Sequence, residues 1–299
     1  MNYLDPDWAY FVGMVVARGT LSESAGVRQI TINFPHSSLE ARGINVRIGQ
    51  ETSIKLGLNE IRLRLSDLLD TEVETRAAEG TIDLVVRFMH NALPWRMLLR
   101  VTEGQLSFRG LQVPSVFLDS DTPQDLKREF IKGFADVAGN IRHANRYVDG
   151  RNRVRLDVLN YRQNWRVPVA LCQILQDSLK VPVQNITWGH PNMNRDFREH
   201  QINIFAIPFL QIGFSFEHKQ KVLEELATAD RYLSGDYSGC PGRRQVRGAK
   251  EPDPDESSDR LPAELQGQHF NSYWQICKAL ECPREPYTDQ LPLPLDSEE

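Results

Sequence analysis

Long apolar runs are missing from this 299-residue chain; none approaches the roughly 18 to 20 residues needed to cross a bilayer. The opening MNYLDPDWAY carries acids where a secretory leader places positive charge, so a cytoplasmic location and no membrane partner are expected. Cysteine is scarce. Of four in the chain, Cys240, Cys277 and Cys282 fall within the last 60 residues, which excludes a disulfide framework and leaves metal binding or chance. A surplus of positive charge is missing too: 35 Lys and Arg face 40 Asp and Glu, a formal net charge of -5. Any contact with nucleic acid has to come from a local cluster, because salt screens exposed charges beyond about 8 to 10 Å. What the chain does have is enough apolar residue, 40%, to fill a core spanning two units.

Those two units show as an internal correspondence. FVGMVVARG (11–19) and IKGFADVAG (131–139) both place glycines six apart, and the second lies 120 residues after the first. Each sits in a helix candidate with an acidic lead-in, DPDWAYFVGMVVARGTL from Asp5 and TPQDLKREFIKGFADVAGNI from Thr122, where Thr122, Pro123 and Asp125 form an N-terminal signal. Strand-like alternation follows each helix, VRQITINF (27–34) and RVRLDVLN, and then a second helix candidate, 53–70 and 165–179. Two further short strands come next, TEVETRA with TIDLVVRFM and VQNITWG with QINIFAI. A closing helix completes each half, ALPWRMLLR and the run from Glu217. The expected fold is α+β: two pseudo-symmetric αββαββα repeats, 1–105 and 106–235, each an antiparallel sheet backed by helices, plus a small C-terminal segment, 236–299.

The paired glycine helices and the element order after them resemble the two copies of the LAGLIDADG motif in single-chain homing endonucleases, over about residues 5 to 235. Gly13 with Ala17, and Gly133 with Val137, lie at i and i+4, one helical face on which small residues let two helix backbones approach. Gly19 and Gly139 are expected to end the helices in the left-handed conformation that glycine tolerates. The competing reading is two ordinary buried helices with incidental glycines.

The resemblance implies an acid just before the last glycine of each motif, two acids that hold the divalent metals for phosphodiester cleavage. Here those positions are Arg18 and Ala138. Neither ligates a hard cation, which needs oxygen donors. Asp136 lies two residues too early, about 200° round the helix, and Glu23 is remote. No catalytic residue and no catalytic metal are therefore expected, while Arg18 is a candidate phosphate contact where the metal would otherwise sit.

In the resembled fold the sheets form a saddle whose polar face lies along the DNA major groove. The segment 140–166 holds seven arginines against two acids, and Arg151, Arg153 and Arg155 share one strand face. Like charges in a row repel unless a polyanion lies across them, and arginine suits bidentate contact with guanine or phosphate. With Arg142 and Arg146 they make the basic half of the candidate DNA surface, on a ribbon of strands 142–148 and 151–158 turned by VDGRN. Gln29, Thr31 and Asn33 make the less charged face of the first half, with Thr81, Asp83 and Arg87 on its later strand, and Thr187, Gln201 and Asn203 complete the second. A solvated, charge-guarded sheet is the alternative.

The C-terminal segment passes from GRRQVRGAK to an acidic, proline-containing stretch, a linker or arm, and then to the short helix candidate SYWQICKALECP. Cys240, His269, Cys277 and Cys282 have the spacing C-x28-H-x7-C-x4-C, which one structural zinc would staple; free thiols are the alternative. The sequence reading is thus a monomeric duplex-DNA-binding protein without intrinsic nuclease activity, either the recognition subunit of a restriction or defence system or a transcription regulator. Its arm is the natural docking point for a nuclease or helicase subunit. The rivals are an active endonuclease using other acids, a maturase-like RNA-binding splicing cofactor, and a protein scaffold.

Overall fold

A computed structural model describes residues 4–45, 50–89, 92–108, 110–142, 152–159, 166–187 and 199–229. The first central helix, α1 (Pro6–Arg18), starts where Asp5 accepts the Trp8 N–H at 2.7 Å and Pro6 supplies a preset first-turn backbone. From Trp8 onward every residue of α1 is buried, which is why its sequence is apolar on all sides. Its counterpart α5 (Gln124–Ala138) is capped without a side chain: Thr122 does not serve as N-cap, because its hydroxyl instead donates to the Val116 carbonyl at 2.5 Å.

The two helices cross at their glycines. A Cβ on Gly13 would collide with the Phe130 carbonyl, and a Cβ on Gly133 with the Tyr10 carbonyl. Each glycine thus meets the carbonyl of the residue three before the other glycine, a reciprocal contact that only hydrogen at both positions allows. Ala17 and Val137, one turn on, are 6% and 0% exposed.

Gly19 and Gly139 do not take the expected left-handed conformation. Their φ values are -85° and -83°, ordinary extended backbone, and each N–H closes its helix on the carbonyl of Val15 or Ala135. Glycine is needed there for space: a Cβ on Gly19 would lie 2.6 Å from the Val15 oxygen, and one on Gly139 would strike the Ala135 oxygen. Both helices therefore run straight into strands, β1 (Gly19–Ser24) and β6 (Gly139–Arg142).

The first sheet has the order β1-β2-β5-β4, all antiparallel, with β2 (Val27–Pro35), β4 (Val73–Ala78) and β5 (Thr81–Met89). Ala25 and Gly26, at φ 49° and 78°, form the two-residue turn between β1 and β2, since a primed turn matches the strand twist. The second sheet has the order β3-β6-β7-β9-β8, with β3 (Ala41–Arg42), β7 (Arg153–Leu159), β8 (Val183–Thr187) and β9 (Glu199–Phe205). Its β6-β7-β9-β8 portion repeats the strand order of the first sheet. The strand expected through QINIFAI stops at Phe205, where α7 (Ala206–Phe209) begins.

Helices α3 (Gln50–Leu69), α4 (Leu93–Val101), α6 (Arg166–Gln173, continued by a π turn, Ile174–Ser178) and α8 (Glu217–Thr228) complete the layers. The halves exchange segments. After the single turn α2 (His36–Leu39), β3 (Ala41–Arg42) leaves the first half to pair in parallel with β6. There Glu225 of α8 accepts the N–H groups of Ile44 and Asn45 at 2.9 and 2.7 Å. In the other direction, residues 106–108 bond to β1 through Leu21 N–H to Leu106 and Phe108 N–H to Gly19, at 2.6 and 2.7 Å. One apolar core accordingly runs from Trp8 to Ala227 through both sheets and both central helices.

Candidate nucleic-acid interface

The ends of α1 and α5 are where the resemblance implies metal-binding carboxylates, and the residues present do not fit a divalent cation. Arg18 is 9% exposed and Ala138 fully buried. Asp136 is fully buried on another side of α5, where it accepts the Tyr10 hydroxyl at 2.7 Å and the Ser215 N–H at 3.1 and 3.2 Å. Desolvation raises its carboxyl above its ordinary value, and its oxygens are already engaged by Tyr10 and Ser215 inside the core, which does not suit a metal ligand. Glu23 lies toward the far end of β1, ion-paired with Arg28 at 2.7 Å. The burial of Arg18 also leaves little of it available as a phosphate contact.

The outward face of the first sheet is a hydrogen-bonded row of side chains. Register places Gln29 opposite Arg87, Thr31 opposite Val85, Asn33 opposite Asp83 and Glu74 opposite Val85. Ile30, Ile32, Phe34, Leu84 and Val86 take the other face into the core, so the alternation read from the sequence holds on β2. Arg87 donates from Nη1 to Glu74 at 2.5 Å and from Nε to Gln29 Oε1 at 3.1 Å, and Gln29 Nε2 donates to Thr31 Oγ1 at 3.1 Å. Asn33 Nδ2 donates to Asp83 at 2.7 Å, and Arg76 forms an ion pair with Glu74 at 2.8 Å. Arg76 and Arg87 balance Glu74 and Asp83, so the face carries specific donors and acceptors without net charge. Sequence reading missed Glu74; its signal was the short turn between β4 and β5, where Ala78 pairs with Thr81 and so brings Glu74 to the same face as Arg87.

On the second sheet the expected row of exposed arginines does not appear. Register does put Arg153, Arg155 and Asp157 on one face, across from Phe205, Asn203 and Gln201. Yet Arg153 is fully buried, its guanidinium 5.2 Å from the Phe205 ring, at the strand end that α7 closes by donating Ala206 N–H to the Asn152 carbonyl. Arg155 is ion-paired with Asp157 at 2.8 Å and keeps 23% exposure. Asn203 is 3% exposed, and Asn140, 1% exposed, donates to the Ser37 carbonyl at 3.2 Å. A single strand parity predicted the face but not its burial, which comes from elements distant in sequence. β6 and β7 pair antiparallel, Gly139 with Leu156 and Ile141 with Val154, so the paired part of the first strand, 139–142, lies ahead of the expected 142–148. Residues 143–151, with Arg146 and Arg151, lie outside the described residues, as do the side chains of Arg142, Thr187 and Gln201.

Cys240, His269, Cys277 and Cys282 also lie outside the described residues. Among the described residues no group of three or more metal-ligating side chains comes together, and Cys172 is buried with its thiol pushed up by desolvation.

No family model and no curated protein matches the sequence. Among solved structures, a variant of the homing endonuclease I-DmoI in complex with its target DNA is similar at TM-score 0.44 and 15% identity, covering 74% of this chain and 100% of that one. The N-terminal LAGLIDADG domain of WhiA is similar at TM-score 0.41 and 12% identity, covering 74% and 80%. The chain's own topology is α+β: two central helices crossed at glycine, each running into the first strand of an antiparallel array of the order β1-β2-β5-β4 or β6-β7-β9-β8.

Proposed function

We propose that this protein binds duplex DNA with sequence preference and does not itself cleave it. The observation that carries the reading is the outward face of the first sheet. There Thr31, Gln29, Arg87 and Glu74 form one hydrogen-bonded chain, and Asn33 and Asp83 a separate pair, across neighbouring strands. A β-sheet strip fits the major groove, and base edges are read by such donors and acceptors. Arg155 supplies a partly exposed positive charge on β7, with Arg142, Arg146 and Arg151 as the further candidates by sequence. The net charge of -5 makes a broad electrostatic footprint unsuitable and favours readout of bases over phosphate attraction.

Absence of cleavage is supported by the donor set: arginine and alanine at the two helix ends, and an aspartate whose carboxylate is buried in hydrogen bonds. A reader of this kind suits a recognition component, either of a restriction or defence system or of transcription control, with the C-terminal arm as the docking point for a nuclease or helicase and a structural zinc as its staple.

The test is selection of bound duplexes from a randomised library with the full chain, in EDTA and in Mg²⁺, with cut ends scored in parallel. A motif recovered in both without cut ends supports the reading. No enrichment overturns DNA binding and turns attention to RNA or protein; Mg²⁺-dependent cutting overturns the non-cleaving part.

A further inference from the structure

The side-chain array on the first sheet has a direction. Arginine only donates, so the Gln29 carbonyl oxygen has to face Arg87 and its amide nitrogen has to face Thr31. Thr31 Oγ1 then accepts, which leaves its hydroxyl proton for an outside acceptor. Arg87 has five N–H groups; one is engaged by Glu74 and one by Gln29, leaving three, including both on Nη2. Thr31, Gln29 and Arg87 together form a block that offers donors. An ionised carboxylate only accepts, so Asn33 has to turn its amide nitrogen toward Asp83, and the second Asp83 oxygen remains an acceptor.

We propose, resting on the DNA reading above, that this face specifies two base positions. Arg87, positioned by Glu74 and Gln29, takes a guanine through its O6 and N7 acceptors, and Asp83 takes a base with an exocyclic amino group, cytosine or adenine. Glu74 acts through Arg87 and is a positioning residue: two acceptors, the Glu74 carboxylate and the Gln29 carbonyl oxygen, hold the guanidinium on a long side chain that otherwise has many rotamers, which lowers the ordering cost of a bidentate contact. Asp83 works by exclusion, because its carboxylate repels the acceptor-only edges of guanine and the carbonyl of thymine. The spacing follows from β5. Arg87 and Asp83 are four residues apart on one strand, about 13 Å at roughly 3.3 Å per residue. With base steps of about 3.4 Å, the guanine and the amino-bearing base lie about four steps apart.

The experiment repeats the duplex selection with the full chain carrying Arg87→Ala, Glu74→Ala, Glu74→Gln or Asp83→Asn, and measures the salt dependence of binding for each. Expected for Arg87→Ala is loss of about 10- to 100-fold discrimination at one guanine, with the other positions and the salt slope retained. Glu74→Ala weakens the same position, and Glu74→Gln, which keeps an acceptor for Arg87, retains more of it; a merely structural effect would not select one base. Asp83→Asn relaxes a position about four steps away. If the wild-type chain enriches no duplex, the DNA reading fails and this inference with it. A wild-type motif that all four variants share overturns this inference alone. So does a uniform loss of affinity in Arg87→Ala with the salt slope reduced by about one, which marks a phosphate contact.

Discussion

The Tyr10 hydroxyl donates to Asp136 at 2.7 Å, joining the two central helices with both side chains fully buried. The carboxylate also takes the Ser215 N–H, and buried Lys219 of α8 donates to the Asp136 carbonyl at 3.0 Å beneath the Phe214 and Phe216 rings. Desolvation dominates all three titrations: it raises Asp136 and Tyr10 and lowers Lys219 to about 8. This knot ties α8 to the crossing of the two central helices.

Its pH signature follows from the signs. Between pH 8 and 10.5 the unfolded chain keeps a proton on Lys219 that the folded chain has released, so stability rises with pH across that window. Tyr10 acts oppositely: its folded value lies well above 10.0, so past about pH 10 the unfolded chain loses the proton first and stability falls. Urea midpoints should therefore climb from pH 8 toward 10 and then turn down. Lys219→Met should remove the climb; a climb that persists in the variant would assign it to other groups.

The helix crossing makes a second, sharper demand. Gly13→Ala and Gly133→Ala each drive a methyl into a carbonyl of the opposite helix, and overpacking at rigid backbone should cost ~3 kcal/mol. Because either methyl separates the same pair of helices, the double variant should lose less than the sum of the singles. Denaturant titration of the three variants measures both; strict additivity would mean that the crossing is not shared.

On β7, Arg153 and Arg155 should behave differently despite sharing a strand face. Arg155→Ala should weaken duplex binding and make its salt slope shallower by about one, and Asp157→Asn should strengthen binding by releasing Arg155 from its ion pair. Arg153→Ala should instead lower the melting temperature, since it empties a buried site beside Phe205. Salt titrations paired with thermal melts separate the two roles.

Those contrasts mark the limit of what local pattern could reveal. The glycine crossing, the polar alternation of β2, and most helix and strand spans were legible, because period 2, period 3.6 and small-residue spacing are properties of contiguous residues. The burial of Arg153 and Arg18, the departure of β3 into the second sheet and the Tyr10–Asp136 bond depend on residues up to 126 positions apart, which no window contains. Gly19 and Gly139 were found for the wrong reason. Their spacing marked the helix ends correctly, but the constraint is the crowded carbonyl one turn back and not a positive φ.

Cleavage is the remaining question, and Asp136 separates its alternatives. A nuclease built on this chain would need a carboxylate at the helix ends, and the near one in sequence is already saturated by Tyr10 and Ser215 inside the core. Incubation of the purified chain with bound duplex and Mg²⁺ or Mn²⁺ should leave the DNA intact. Asp136→Asn should lower stability by about 1 to 3 kcal/mol, the usual cost of disturbing a buried hydrogen-bonded group, while binding of the selected motif below the melting transition persists. Cutting that disappears with Asp136→Asn at unchanged stability would place the carboxylate in a catalytic site, reversing the structural role its burial assigns.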